Sequence, residues 1–100
     1  MAYAIDNLPP IHPGSFLRDE LDALSISARR FADHIHVPPN AVTAILNGDR
    51  GITARMAIRL GQAFRTSPQY WLNLQNIYDL KIARAELPEE ALQIEAYVAA

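Results

Sequence analysis

Apolar residues recur at helical spacing in five successive stretches of this chain, separated by polar or proline-containing breaks. Phe16, Leu17, Leu21 and Leu24 lie opposite Arg18, Asp19, Glu20 and Asp22, which predicts an amphipathic helix of about 11 residues beginning near Pro13 and ending at Leu24 or Ser25. Ser27 is a good N-cap for a second helix, with Phe31, Ala32 and Ile35 as its buried stripe and Arg29, Arg30 and Asp33 facing water. A turn must follow, because Val37 precedes a proline and is steered away from the α conformation. Pro39 suits the first turn of a third helix, where a missing N–H leaves nothing unpaired. That helix is expected from about Pro39 to Leu46, with Val42, Ile45 and Leu46 inward, Asn40, Thr43 and Asn47 outward, and Asn47-Gly48 as its stop.

Thr53 caps a fourth predicted helix in which Ala57, Leu60, Gly61 and Phe64 share one face, Arg55, Arg59 and Gln62 turn outward, and Gly61 permits close packing. Ser67-Pro68 signals the start of a fifth, expected from Tyr70 to about Ala85. Its apolar residues, Tyr70, Trp71, Leu72, Leu74, Ile77, Tyr78, Leu80 and Ile82, are too many for one stripe, so two sides of it are expected to be covered. Pro88 breaks the pattern, and Glu89 and Glu90 suit the positive end of a further short helix. The reading divides the chain into an N-terminal arm (1–11), whose Pro9 and Pro10 show no periodicity, an all-helical body (12–85) and a tail (86–100) with helix-start signals.

One hundred residues, half of them hydrophobic and a fifth charged, suit one domain with a modest core. The chain has no cysteine, which excludes a disulfide framework and thiolate zinc, and His12, His34 and His36 lack the partners of a metal site; no metal or cofactor is expected. No stretch of eighteen apolar residues occurs and MAYAIDNLPP does not read as an export signal, so no membrane is expected and the cytoplasm is the expected location.

The net charge of −2 conceals a segregation. Residues 26–65 carry six arginines against Asp33 and Asp49, a balance of +4, whereas residues 1–25 and 66–100 each come to −3. A basic centre between acidic flanks assigns one face to an anionic partner. Two short helices joined by a tight turn, the second exposing small polar side chains, are what insertion into a DNA major groove requires. Asn40 can pair with an adenine edge, Thr43 with a base or phosphate, and Ala41 or Ala44 can touch a thymine methyl. Arg29, Arg30, Arg50 and Arg55 are candidates for phosphates. For catalysis there is no nucleophile with a nearby base and no phosphate-cradling glycine loop; Asp33, His34 and His36 are explained as helix surface and turn, and no enzyme is expected.

The segment SARRFADHIHVPPNAVTAILNGDRGIT resembles the helix-turn-helix of the phage-repressor (Cro/C1, or XRE) class. More narrowly, IHPGSFLRDEL before it and GITARMAIRLGQAFRTSPQYWLNLQNIYDLKIA after it resemble the HigA antitoxin family, and together the motifs span roughly residues 11–85. The resemblance implies a five- to six-helix, λ-repressor-like fold, with base-reading roles at Pro39, Asn40, Thr43 and Ala44, and with Ser27 and Asn47 completing the DNA-binding set. It further implies a dimeric repressor of its own operon, acting on a palindromic operator, and a HigB-type toxin partner that cleaves mRNA. A stand-alone XRE-type regulator without a toxin is the alternative, and a purely structural helix bundle would lack DNA affinity.

Three positions depart from that pattern. Ala28 replaces a glutamine that often clamps a phosphate, and Ser15 replaces a frequent glutamate. His36 stands where the turn usually has glycine, so the backbone there is right-handed or bears strain. With proline and alanine at two of the four reading positions, shape readout is expected to carry part of the specificity. The surplus apolar area of the fifth helix is assigned to a homodimer interface of Trp71, Leu74, Ile77, Tyr78 and Leu80, with Trp71 and Leu74 also candidates for the core and Asn73, Gln75 and Asn76 as interface polar groups.

Overall fold

A computed structural model of the chain describes residues 8–98. Most of the expected N-terminal arm (residues 1–7) and the last two residues of the tail lie outside the described residues. Six helices and no strand occur among them: α1 (Pro13–Leu24), α2 (Ala28–His34), α3 (Pro39–Leu46), α4 (Ala54–Phe64), α5 (Pro68–Glu86) and the single turn α6 (Glu89–Leu92).

The ends of these helices are set locally. Ser27, Thr53 and Ser67 accept hydrogen bonds from the backbone N–H groups of Arg30, Met56 and Tyr70, satisfying donors that the first helical turn leaves orphaned. His12 does the same for α1, its Nδ1 accepting from Gly14 N–H at 2.9 Å. Proline occupies the first position of α1, α3 and α5, where its fixed φ fits and its missing N–H is harmless.

The core is one cluster. Leu17 and Leu21 of α1, Phe31 and Ala32 of α2, Val42 and Ile45 of α3, Met56, Ala57 and Leu60 of α4 and Trp71 of α5 meet there, with Ile35 and Ile52 filling the corners. Phe64 joins two aromatic neighbours, stacking on Phe31 at 5.2 Å and lying 5.8 Å from Trp71. The one polar atom that Trp71 brings inside is satisfied, since its Nε1–H donates to Thr66 Oγ1 at 2.9 Å. Gly61 allows the α4–α5 corner to close: a Cβ there would lie 2.7 Å from the Thr66 carbonyl oxygen and 3.2 Å from Pro68 N.

Trp71 is 1% exposed and belongs wholly to this core, which corrects its assignment to a dimer face. Leu72, Leu74, Tyr78 and Ile82 are half-buried, while Tyr70, Ile77 and Leu80 stay exposed. From Ala83 to Val98 every residue is exposed except half-buried Ala91. The end of α5 and the tail therefore stand clear of the body, which accounts for an elongated envelope of 52 × 24 × 24 Å. No helix among the described residues is long and apolar enough to cross a membrane.

Candidate nucleic-acid interface

The helix pair α2–α3 carries the candidate site, and its turn is built by backbone hydrogen bonds at the end of α2. Val37 N–H donates to the Ala32 carbonyl at 3.0 Å and His36 N–H to that of Asp33 at 3.3 Å, the Schellman closure, which demands a left-handed residue at its centre. That residue is His36, at φ +63°. Of the two backbones open to a side chain at this position, the strained one is present. Apolar Val37 is half-buried, and this contact holds the turn despite the strain.

From this turn α3 presents its first residues outward. Pro39, Asn40 and Thr43 are exposed, Ala41 and Ala44 are half-buried, and Val42 and Ile45 anchor the opposite side in the core. The Thr43 hydroxyl reaches back to the Asn40 carbonyl at 3.4 Å, a long contact that leaves it available to another acceptor. The far end of α3 closes like α2. Asp49 N–H donates to Ala44 O (2.9 Å) and Gly48 N–H to Ile45 O (3.1 Å), with Gly48 at φ +79°. Asn47 is the exposed C-cap between them.

The cations surround this face unequally. Ser27, Arg29 and Arg30 are exposed at the start of α2, and Arg50 is exposed in the loop after α3, its N–H donating to the Ala44 carbonyl. Arg55 is placed elsewhere. It lines a groove between α4 and the opposite end of α2, beside His34, His36, Ile58 and Arg59. Arg59 is exposed as expected and also donates from Nη1 to the carbonyl oxygen of Ile35, the C-cap of α2, thereby tying α4 to the turn.

Three residues that hold α3 in place escaped the sequence reading. Gly14 packs against the last turn of α3 so closely that a Cβ would fall 2.1 Å from the Ile45 carbonyl oxygen. The His12 ring, besides capping α1, lies beside Gly48 and meets Tyr78 edge-on at 5.0 Å, so Tyr78 is at least partly engaged within its own chain. Gln75, assigned to an interface, is half-buried and accepts from Ile52 N–H at 2.7 Å while donating to Asp79 Oδ1 at 2.9 Å. It pins the loop that carries Arg50, and its amide fills the space beside Gly51. The signal was present in the motifs HPG and SPQYWLNLQNIYDL, but which side chains cross to α3 is a matter of three-dimensional proximity. Among the described residues no group of three or more His, Asp or Glu is placed to hold a metal ion.

The helix-turn-helix family HTH_3 matches residues 17–71, which embrace α2, α3 and the loop behind them. Virulence-associated protein I of Dichelobacter nodosus is 43% identical over 82 residues, covering 81% of this chain and 76% of that protein. Among solved structures, an addiction module antidote protein of the HigA family from Coxiella burnetii superposes with a TM-score of 0.86 at 46% identity, over 90% of this chain and all of that one. The Pseudomonas aeruginosa antitoxin HigA, solved with the higBA promoter, gives a TM-score of 0.83 at 43% identity, again over 90% of this chain and all of that one.

Proposed function

Because this chain belongs to the HigA antitoxin family of helix-turn-helix proteins, we propose that it represses its own operon as a homodimer and neutralises a HigB-type, mRNA-cleaving toxin in the cytoplasm. The observation that carries the reading is the outward face of α3. It exposes Pro39, Asn40 and Thr43 on a helix anchored behind by Val42 and Ile45, in a fold whose Pseudomonas relative was solved with promoter DNA. In this reading Asn40 and Thr43 meet base edges, Ala44 contributes apolar contact, and Ser27, Arg29, Arg30, Asn47 and Arg50 hold the phosphate backbone. Arg55 lies in the groove between α2 and α4, away from the face of α3, and stands apart from this set.

The dimer follows from area and from the shape of DNA. Ile77 is 56% exposed and Leu80 52% exposed on the outer side of α5, and covering what remains open contributes about half of the 1.5 to 3 kcal/mol that full burial of such a side chain supplies. Successive major grooves on one side of a palindrome lie about 34 Å apart, which calls for two recognition helices and so for two copies.

The test is a gel-shift titration against the DNA upstream of the gene with the N40E/T43E variant, paired with co-purification of the neighbouring gene product. Both substituted residues are exposed, so the variant is expected to melt as the wild type does while losing operator binding. Unchanged operator affinity refutes the assignment to α3. Retained operator binding without a co-purifying partner identifies a regulator without a toxin.

A further inference from the structure

A groove between α2 and α4 lies apart from the face of α3 proposed to enter DNA. It is open, about 570 Å³ in volume, and its lining includes His34, His36, Arg55, Ile58 and Arg59. No acidic residue lines it, two guanidinium groups do, and exposed Ile58 forms an apolar patch among them. A surface of this kind fits an acidic segment that also carries apolar side chains.

The chain owns such a segment. After Arg84 the tail carries Glu86, Glu89, Glu90 and Glu95 and no basic residue, interleaved with exposed Leu87, Leu92, Ile94, Tyr97 and Val98. A single helical turn such as α6 is too short to be stable on its own in water.

The tail is directed away from its own groove. By Gln75, which bonds Ile52 just before α4 begins, α5 has come level with the start of α4, and the helix runs on to Glu86, about 16 Å further. The groove lies on the outer side of α4, Arg55, Ile58, Arg59 and Gln62, whereas Met56, Ala57, Leu60 and Gly61 face the core. A neighbouring copy meets neither obstacle. The docking residues, Leu87 to Leu92, span up to roughly 20 Å from the end of α5 when extended, about the width of two packed helices.

We propose that the acidic, apolar tail of one copy docks in the basic α2–α4 groove of a second copy, its leucines on Ile58 and its glutamates beside Arg55 and Arg59. The exchange is reciprocal, as an isologous dimer requires, and it rests on the homodimer reading above. It places the tail beside His36, so that self-association and the turn leading into α3 are physically joined.

The natural chain has no cysteine, which makes site-specific cross-linking direct. Full-length I58C and L92C, carrying different tags, are mixed and oxidised; a disulfide joining the two tags is expected, since it forms only where the two Cα atoms come within about 7 Å. In parallel, I58E and E89K/E90K are each expected to weaken the dimer by about tenfold or more in sedimentation experiments, with the melting temperature of the monomeric fold unchanged. Absence of the mixed disulfide together with wild-type self-association of both variants overturns the proposal. So does a disulfide formed within one chain of the I58C/L92C double variant, and so does an I58E chain that self-associates normally but no longer co-purifies the neighbouring gene product, which would give the groove to that partner. A wild type that is monomeric at micromolar concentration refutes the homodimer reading itself, whereas a dimer indifferent to I58E refutes only the docking of the tail.

Discussion

Replacing His36 by glycine should stabilise this protein, against the usual effect of glycine. His36 sits at φ +63° as the left-handed residue closing α2, and its side chain is exposed, so its removal forfeits little packing. A Cβ in this conformation costs about 1 to 2 kcal/mol, which glycine avoids. Glycine also widens the unfolded ensemble, returning about 0.4 to 1 kcal/mol. The net expectation is a gain of about 0.5 to 1 kcal/mol, a rise in melting temperature of roughly 3 to 6 °C for a domain of this size. His36→Ala is the control: it keeps the Cβ and the strain, so it should lie within about 0.5 kcal/mol of the wild type. Circular-dichroism melts and urea titrations read both variants. If His36→Gly lowers the midpoint, or if glycine and alanine shift it equally, the imbalance is not backbone strain but a contact of the imidazole, and the reasoning fails.

Arg50→Ala should flatten the plot of log operator affinity against log salt by about 0.9, the contribution of one neutralised phosphate; an unaltered slope returns Arg50 to ordinary solvated surface. Gln75→Ala leaves Ile52 N–H without its acceptor and should destabilise by about 1 to 3 kcal/mol, toward the lower end because the site is half-buried and water can enter. It should also weaken operator binding more than its stability loss explains, because the loop bearing Arg50 is released; a melting curve and gel shift identical to wild type would show the bond to be idle. Ile77→Glu and Leu80→Glu should each move the sedimenting species from dimer to monomer, and a dimer that survives both locates the interface off the outer face of α5.

The helix boundaries were readable from the chain because they are decided by neighbours a few residues apart. Ser27, Thr53 and Ser67 cap what their positions announce, Pro39 and Pro68 open α3 and α5, and Asn47-Gly48 closes α3. The exposed and buried sides of α3 follow from the same 3.6-residue period, and so the candidate reading face of Asn40 and Thr43 was visible too. At His36 the chain posed the question without answering it. Local pattern admitted two backbones, and the left-handed one prevails because half-buried Val37 and the Schellman hydrogen bonds together outweigh about 1 to 2 kcal/mol of strain.

What only the tertiary structure decided concerns residues whose partners are remote. Trp71, Ile77 and Leu80 look alike as apolar positions on one helix, yet Trp71 is core and the others are open, because α5 meets α4 and α1 on one side only. Gln75 and Asn76 are adjacent amides with equal claims on an interface, and Gln75 became the anchor of a loop 23 residues away because its side chain faces Ile52. Arg55 and Arg29 are both cations of the basic segment, but one borders the groove of α4 and the other the start of α2. Helical period and capping act over about one turn and are written in the order of residues, whereas the side on which two helices touch depends on how all the apolar faces are satisfied at once.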